Sequence, residues 1–179
     1  MSVWFCRQAN AEDYMINWFK FSSDIGELYI AEEDGKIGLI GFERSFELYM
    51  KKKKMKSPDQ MCFQSSLVIE EAILQLKEYF GGKRKIFDLP LKPEGTEFQL
   101  RDWDALRRIP YGETRSYKDI AEEIDCPKGF RAVGMANNKN PIMIVIPCHR
   151  VIGADGSMVG FGSDITVKEY LLELEKRNK

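Results

Sequence analysis

The stretch SYKDIAEEIDCPKGFRAVGMAN, residues 116–137, decides the architecture of this chain. Ser116 and Asp119 have the spacing of a capping box, which opens a helix from Tyr117 to Ile124. Asp125-Cys126 then turns the chain, and Pro127 suits the first position of a further helix running to about Asn137. Two short helices around a tight turn outline a helix-turn-helix. Many helical cores share that outline, so charge has to support it. From Cys126 to Ala154 there are four basic residues, Lys128, Arg131, Lys139 and Arg150, and no acid. The whole chain is balanced, with 27 Lys+Arg against 28 Asp+Glu and a formal charge of -1. A local basic surface inside a neutral protein is what nucleic-acid binding needs, more than a high overall pI.

Upstream, Thr96 and Gln99 make another capping box, for a helix through about Ile109 with Phe98, Trp103 and Leu106 on its apolar side. Pro110-Tyr-Gly112 stops it. The stretch Lys83 to Gly95 contains Pro90 and Pro93 among alternating charges, a linker composition. The boundary therefore falls there, giving a sheet-and-helix domain over 1–92 and a second domain over 93–179. In the first, Ile69, Ala72, Ile73, Leu76 and Phe80 recur at helical spacing within Ser66 to Phe80, and Gly81-Gly82 ends the helix. Gly26 to Ala31 and Lys36 to Phe42 are β-rich runs joined by the turn signal Glu33-Asp34-Gly35. The expected fold is thus α/β (α+β): a small N-terminal antiparallel sheet with a helix, then a helical C-terminal domain with a helix-turn-helix. The basic run Lys51 to Lys54 reads as a solvated loop or helix face, with DNA contact as the alternative.

Composition excludes several classes. With 179 residues, 44% hydrophobic and 12% aromatic, the chain should fold as a globule with a real core. No apolar run reaches the ~18 residues of a membrane span. Met1 to Ala11 carries Arg7, with Glu12 nearby, and lacks a signal-peptide core, so a soluble cytoplasmic protein is expected. Cys6, Cys62 and Cys126 are read as small buried hydrophobes and not as a disulfide scaffold. His149 is the only histidine and no two cysteines have CxxC-type spacing, so no metal is expected.

The chemistry sits at Pro141 to Pro147, an apolar run bracketed by prolines that should be buried and extended. It delivers Cys148-His149-Arg150 beside the basic window. Cations, the sole histidine and a neighbouring helix are surroundings that lower a thiol's pKa and make it a nucleophile. Adjacent residues of an extended backbone point to opposite faces, so a water would have to carry the proton from Cys148 to His149.

Pro147-Cys-His-Arg-Val151 resembles the active-site motif of the O6-alkylguanine-DNA alkyltransferases, also called methylated-DNA–protein-cysteine methyltransferases. Ile109-Pro-Tyr-Gly-Glu-Thr-Arg-Ser-Tyr117 resembles the family's lead-in to its helix-turn-helix, and Arg131-Ala-Val-Gly134 its recognition helix. Asn140-Pro141 resembles its hinge, and Lys168 with Leu171-Leu172 and Glu175 its closing helix. The resemblance is dense from about Gln75 to Glu175 and looser before that.

The resemblance implies a ribonuclease H-like N-terminal domain and a single-turnover DNA repair protein without a cofactor. Cys148 would keep the alkyl group of O6-alkylguanine, with O4-alkylthymine a further candidate substrate. His149 would take the thiol proton through water, Glu175 would orient the imidazole, and Tyr117 would help guanine leave. Asn140 would tie the hinge. Arg131, with the small residues Ala132, Val133 and Gly134, would enter the minor groove of double-stranded DNA and replace the flipped nucleotide. The carbonyls of Cys148 and Val151, with Phe161 and Gly162, would line the base pocket. A monomer is expected. The chain departs from the family pattern at Phe161 and at Ser163-Asp164, which stands where a glycine pair is usual. Asp164 also reads as the N-cap of a helix with apolar positions Val167, Tyr170, Leu171 and Leu174. Two rivals remain, an alkyltransferase-like damage sensor and a helix-turn-helix regulator, and neither needs Cys148.

Overall fold

A computed structural model describes residues 16–58, 61–158 and 164–179. Cys6, Phe161, Gly162 and Ser163 lie outside the described residues. Three strands lead: β1 (Ile16–Ser23), β2 (Gly26–Glu33) and β3 (Lys36–Gly41). The β2–β3 hairpin turns where expected, with Asp34 at φ 55° and Gly35 at φ 71°. Two successive positive φ values match the right-handed twist of the strands they join. The Glu32 carboxylate closes this turn by accepting from the Gly35 N–H at 2.5 Å.

The strand order is β3-β2-β1-β4, and the short β4 (Cys62–Phe63) runs parallel to β1. The β1-β2-β3 sheet is antiparallel, as expected, and β4 adds a short parallel strand at its edge, so the full sheet is mixed. Helix α1 (Glu43–Lys52) covers one face, where Trp18, Tyr29, Leu39, Phe46 and Tyr49 cluster. Helix α2 (Leu67–Phe80), capped by Ser66, covers the other, where Leu28, Ile30, Ile69, Leu76 and Tyr79 pack. The lysine run closes α1, and within it Lys53 bridges Glu33 and Glu94 at 2.6 Å each. Cys62 is disulfide-bonded, not the plain buried thiol expected, whereas Cys126 and Cys148 are free.

The proline-rich connection is ordered against the sheet. Along the β3 edge the Ile37 N–H donates to the Pro90 carbonyl at 2.7 Å, and Lys92 N–H donates to the Ile37 carbonyl at 2.8 Å. Further along, Ile40 N–H donates to the Pro141 carbonyl and Met143 N–H to the Ile40 carbonyl, both at 2.9 Å. The segment that leads to Cys148 is thus hung on the N-terminal sheet. Edge-strand groups that would otherwise be unpaired are used to hold it.

The C-terminal part is helical: α3 (Glu97–Arg107), α4 (Tyr117–Glu123), α5 (Phe130–Asn138) and α6 (Ile165–Arg177). Both predicted capping boxes form, at Thr96/Gln99 and Ser116/Asp119. Helix α4 ends with Asp125 in the left-handed region and Cys126 N–H donating back to the Ala121 carbonyl at 2.8 Å, a Schellman-type stop. Helix α5 begins at Phe130, later than the Pro127 start expected. Gly129 N–H closes a turn onto the Cys126 carbonyl at 2.7 Å, so Pro127 serves that turn. A two-stranded parallel ladder, β5 (Arg115–Ser116) with β6 (Val151–Ile152), ties the start of α4 to the chain after Cys148. One core cluster contains Ile30, Leu76, Trp103, Ile120, Val133, Cys148 and Leu171, drawn from both halves. Among the described residues, no helix is long and apolar enough to cross a membrane.

Candidate active site

The segment 141–147 is largely buried but not extended. It folds into a tight loop closed by Ile146 N–H on the Ile142 carbonyl at 2.9 Å, with Ile144 at φ 73°. A β-branched residue there is a conformational outlier, costing on the order of 1–3 kcal/mol. Asn140 supplies the clamp. Its Nδ2 donates to the Ile146 carbonyl at 2.7 Å, and its Oδ1 accepts from Ile142 N–H at 3.0 Å. The same Nδ2 lies 3.2 Å from Cys148 Sγ. Asn140 thus ties the loop, as expected, and also touches the thiol.

Cys148–Arg150 forms a 3₁₀ turn and not a strand end, so the alternation argument for Cys148 and His149 loses its premise. The two side chains nonetheless engage different partners. His149 Nε2 lies 2.7 Å from Glu175 Oε1, and its Nδ1 is buried without a partner. The Tyr79 hydroxyl donates to Glu175 Oε1 at 2.7 Å. Facing a carboxylate, Nε2 carries the proton, and Nδ1 keeps its lone pair. Burial holds the imidazole below its usual pKa, despite Glu175, so it is neutral and basic at Nδ1.

Glu175 is 0% exposed, where the sequence alone would place a charge on an open helix face. Arg150 forks onto it, with Nε 3.0 Å from Oε2 and Nη2 3.0 Å from Oε1. Gly112 N–H donates to Oε2 at 2.9 Å from a residue at φ 72°, so the turn that stops α3 also serves the site. Burial alone would raise this carboxyl, but His149 and Arg150 hold it far below the usual range. Arg150 is therefore a structural counter-ion, with Nη1 on the Ile109 carbonyl at 2.6 Å, and leaves the basic surface to Lys128, Arg131 and Lys139.

The thiol differs from the expectation. Burial pushes Cys148 up, and the Asn140 hydrogen bond and the Lys168 charge offset this only in part. Buried Lys168 donates to the Val151 carbonyl at 2.5 Å, and its ammonium lies 5.7 Å from the Tyr117 ring centre. Tyr117 is half-buried, and burial first, then the Cys148 and Asp102 charges, push its phenol up to about 12. It is a proton-bearing donor at neutral pH.

On α5, Arg131 is exposed and its guanidinium lies 5.8 Å from the Phe130 ring centre. Ala132 and Gly134 are half-buried. Val133 has no exposed surface, so its assignment as a DNA contact is corrected: it packs α5 into the core. On α6 the buried residues are Lys168, Leu171 and Glu175. The apolar stripe predicted through Tyr170 is rotated, because Lys168 and Glu175 have fixed partners inside. Asp164 caps the helix, accepting from Thr166 N–H at 3.1 Å.

Sequence reasoning gave no role to Tyr79, counted Arg150 among the surface cations beside the thiol, and named Lys168 only as part of the closing-helix motif. For Lys168 and Glu175 a signal existed, since both fall at helical spacing from Leu171. Tyr79 gave none, being one aromatic among several on an apolar helix.

Residues 97–177 match the model of the 6-O-methylguanine DNA methyltransferase, DNA binding domain, and residues 16–93 that of its ribonuclease-like domain. A methylated-DNA–protein-cysteine methyltransferase of Methanosarcina acetivorans is 47% identical over 155 residues, 87% of this chain and 95% of that one. The chain belongs to the methylated-DNA–protein-cysteine methyltransferase family. Another member, the constitutive protein of Bacillus subtilis, is 43% identical over 85% of this chain and 90% of its own. A crystal structure of Mycobacterium tuberculosis OGT in complex with DNA superposes with a TM-score of 0.79 at 40% identity. That match covers 90% of this chain and 94% of the other.

Proposed function

We propose that this methylated-DNA–protein-cysteine methyltransferase repairs DNA by moving the alkyl group of O6-alkylguanine irreversibly onto Cys148. The observation that carries the reading is the buried His149–Glu175 pair, whose histidine shares the turn of Cys148. The thiol is held by Asn140, and the neighbouring neutral imidazole has its Nδ1 free of partners and its Nε2 fixed by a buried carboxylate. That is the orienter, base and nucleophile logic of a triad.

A buried thiol with a raised pKa needs a base during the reaction. A water between Cys148 and His149 Nδ1 carries the proton to the imidazole. Sulfur attacks the alkyl carbon, the bond from that carbon to O6 breaks, and its electron pair stays with guanine. The Tyr117 hydroxyl donates to the ring, so the base departs neutral. The product is a thioether, and nothing in the protein regenerates the thiol. The protein acts once.

The substrate is double-stranded DNA, in line with the DNA-bound relative. Arg131 enters through the minor groove and fills the place of the flipped nucleotide, flanked by Ala132 and Gly134. Flipping is required because O6 lies inside the stack, out of reach of a cysteine 6% exposed. The carbonyls of Cys148 and Val151, with Phe161 and Gly162, receive the base. The Val151 carbonyl already takes Lys168 and keeps a second lone pair. The segment 1–92 supports the site, 93–179 binds DNA and carries the chemistry, and the protein works as a cytoplasmic monomer.

Intact mass after mixing with an O6-methylguanine duplex tests this. The expected result is a stoichiometric gain of one methyl group on Cys148 without turnover. Tight DNA binding with unchanged mass points instead to a damage sensor.

A further inference from the structure

Asp102 has no part in the relay, yet it is the most anomalous group near it. Its side chain is 0% exposed, and neither carboxyl oxygen has a hydrogen-bond partner. Asn137 on α5 is also buried, and its Nδ2 and Oδ1 are equally unpartnered. The two lie beside a fixed junction, because Trp103 Nε1, next to Asp102, donates to the Ala136 carbonyl, next to Asn137, at 3.0 Å. Helix α3 packs on α4, α5 and the 3₁₀ turn of Cys148. An orphaned carboxyl here is a cost that a structural role does not explain, since an apolar residue would fill the same core.

We propose that Asp102 is a positioning residue of the alkyl-acceptor site, a buried carboxyl that acts on Cys148 and Tyr117 through its charge. The inference rests on Cys148 being the alkyl acceptor. The groups that feel Asp102 are Tyr117 from α4 and Cys148 from the 3₁₀ turn: burial is the main cause that raises each, and the negative charge of Asp102 adds a smaller push in the same direction. Helix α5 offers Asn137, which is uncharged. From α6, Lys168 acts on Cys148, and the charges acting on His149 are Glu175, Arg150 and Lys168. Burial pushes Asp102 up to about 7, and among the described residues no cation offsets it. Near neutral pH the carboxyl is therefore divided between two forms. The neutral form leaves the thiolate unopposed. The carboxylate places a like charge near the sulfur and disfavours the ionised thiol.

The test compares wild type with Asp102→Asn, which keeps the shape and removes the charge. Single-turnover rates with free O6-benzylguanine are measured from about pH 6 to about pH 8.5, with iodoacetamide labelling of Cys148 read by mass spectrometry in parallel. The expected ratio of D102N to wild type is near one at the acid end. It rises severalfold toward the alkaline end, where the wild-type carboxylate opposes the thiolate and the Asn side chain does not. A ratio independent of pH, or a variant slower throughout, overturns the proposal. The pH-dependent ratio with iodoacetamide, in a wild type that takes no methyl group from an O6-methylguanine duplex, refutes the alkyl-transfer reading and leaves the action of Asp102 on the thiol standing. Carbon NMR of the Asp102 carboxyl in wild type serves where the variant does not fold. A midpoint near 7 supports the proposal, and one in the ordinary carboxylate range, about 4, overturns it.

Discussion

The hydroxyl of Tyr79 and the carboxylate of Glu175 are joined by a 2.7 Å hydrogen bond, across 96 positions of sequence. Tyr79 belongs to α2, which packs on the N-terminal sheet, and Glu175 to α6. The oxygen that takes the Tyr79 proton is the one that faces His149 Nε2. Support of the imidazole therefore comes partly from the N-terminal half. Tyr79→Phe removes one charge-assisted bond, worth roughly 1.5–3 kcal/mol of stability. Arg150 still forks onto the carboxylate, so alkyl transfer should slow by less than about tenfold, or ~1.4 kcal/mol. Urea unfolding together with single-turnover kinetics checks both figures. A rate loss as large as that of His149→Ala would make Tyr79 part of the proton path.

Arg131→Ala should separate extrusion from chemistry. Its guanidinium is exposed on α5 beside Phe130 and, among the described residues, makes no hydrogen bond to Cys148, His149 or Glu175. The reaction with an O6-methylguanine duplex should fall at least about tenfold, because the vacated stack is no longer filled. Reaction with free O6-benzylguanine should stay near wild type. Equal slowing on both substrates would place Arg131 in folding or chemistry.

Acid stability should report the Glu175 cluster. The folded carboxyl lies far below its unfolded value of about 4.3, so its contribution is present above that value and is lost as pH falls below it. His149 acts in the same direction from about 6.5 downward, because burial opposes its protonation in the folded state. Asp102 has the opposite sign: raised to about 7, it destabilises as pH rises from about 4 through 7. Subtracting the curve of Glu175→Gln from that of wild type cancels Asp102. The difference should shrink between about pH 4.5 and pH 3, and at neutral pH it should be roughly 3–5 kcal/mol, since Arg150 is left buried and unpaired. A difference constant across this range would mean that Glu175 is not ionised in the folded protein.

The parts legible in the sequence were those governed by neighbours along the chain. The capping boxes at Thr96 and Ser116, the Asp34-Gly35 turn and the Ser66 helix all follow from local backbone chemistry, and all form. The Cys148 motif was legible as a pattern, but its electrostatics were not. Whether Arg150 lowers the thiol pKa or neutralises Glu175 depends on a helix 25 positions away. The 141–147 segment was misread because its extended look ignored Asn140, whose side chain bends the loop by satisfying its backbone groups. Strand β1 was missed for a related reason: Asn17 and Lys20 interrupt its apolar pattern, and its pairing with β2 and β4 supplies the order.

Asp164 remains the point where the chain leaves the family pattern. Two roles compete for it: a helix cap, or a side chain that narrows the pocket where a glycine pair is usual. Its carboxylate accepts from Thr166 N–H at 3.1 Å at the head of α6. This is the helix that carries Lys168 and Glu175. A cap of this kind is worth ~1 kcal/mol against alanine, and the negative charge also suits the helix N-terminus. Asp164→Ala should therefore lower stability by about that amount, read as a drop in denaturant midpoint at unchanged slope. The ratio of benzyl to methyl transfer rates should not move, because the cap bond points into the helix backbone and not toward Cys148. A rise in that ratio at unchanged stability would reverse the assignment and make Asp164 the group that excludes bulky alkyl substituents.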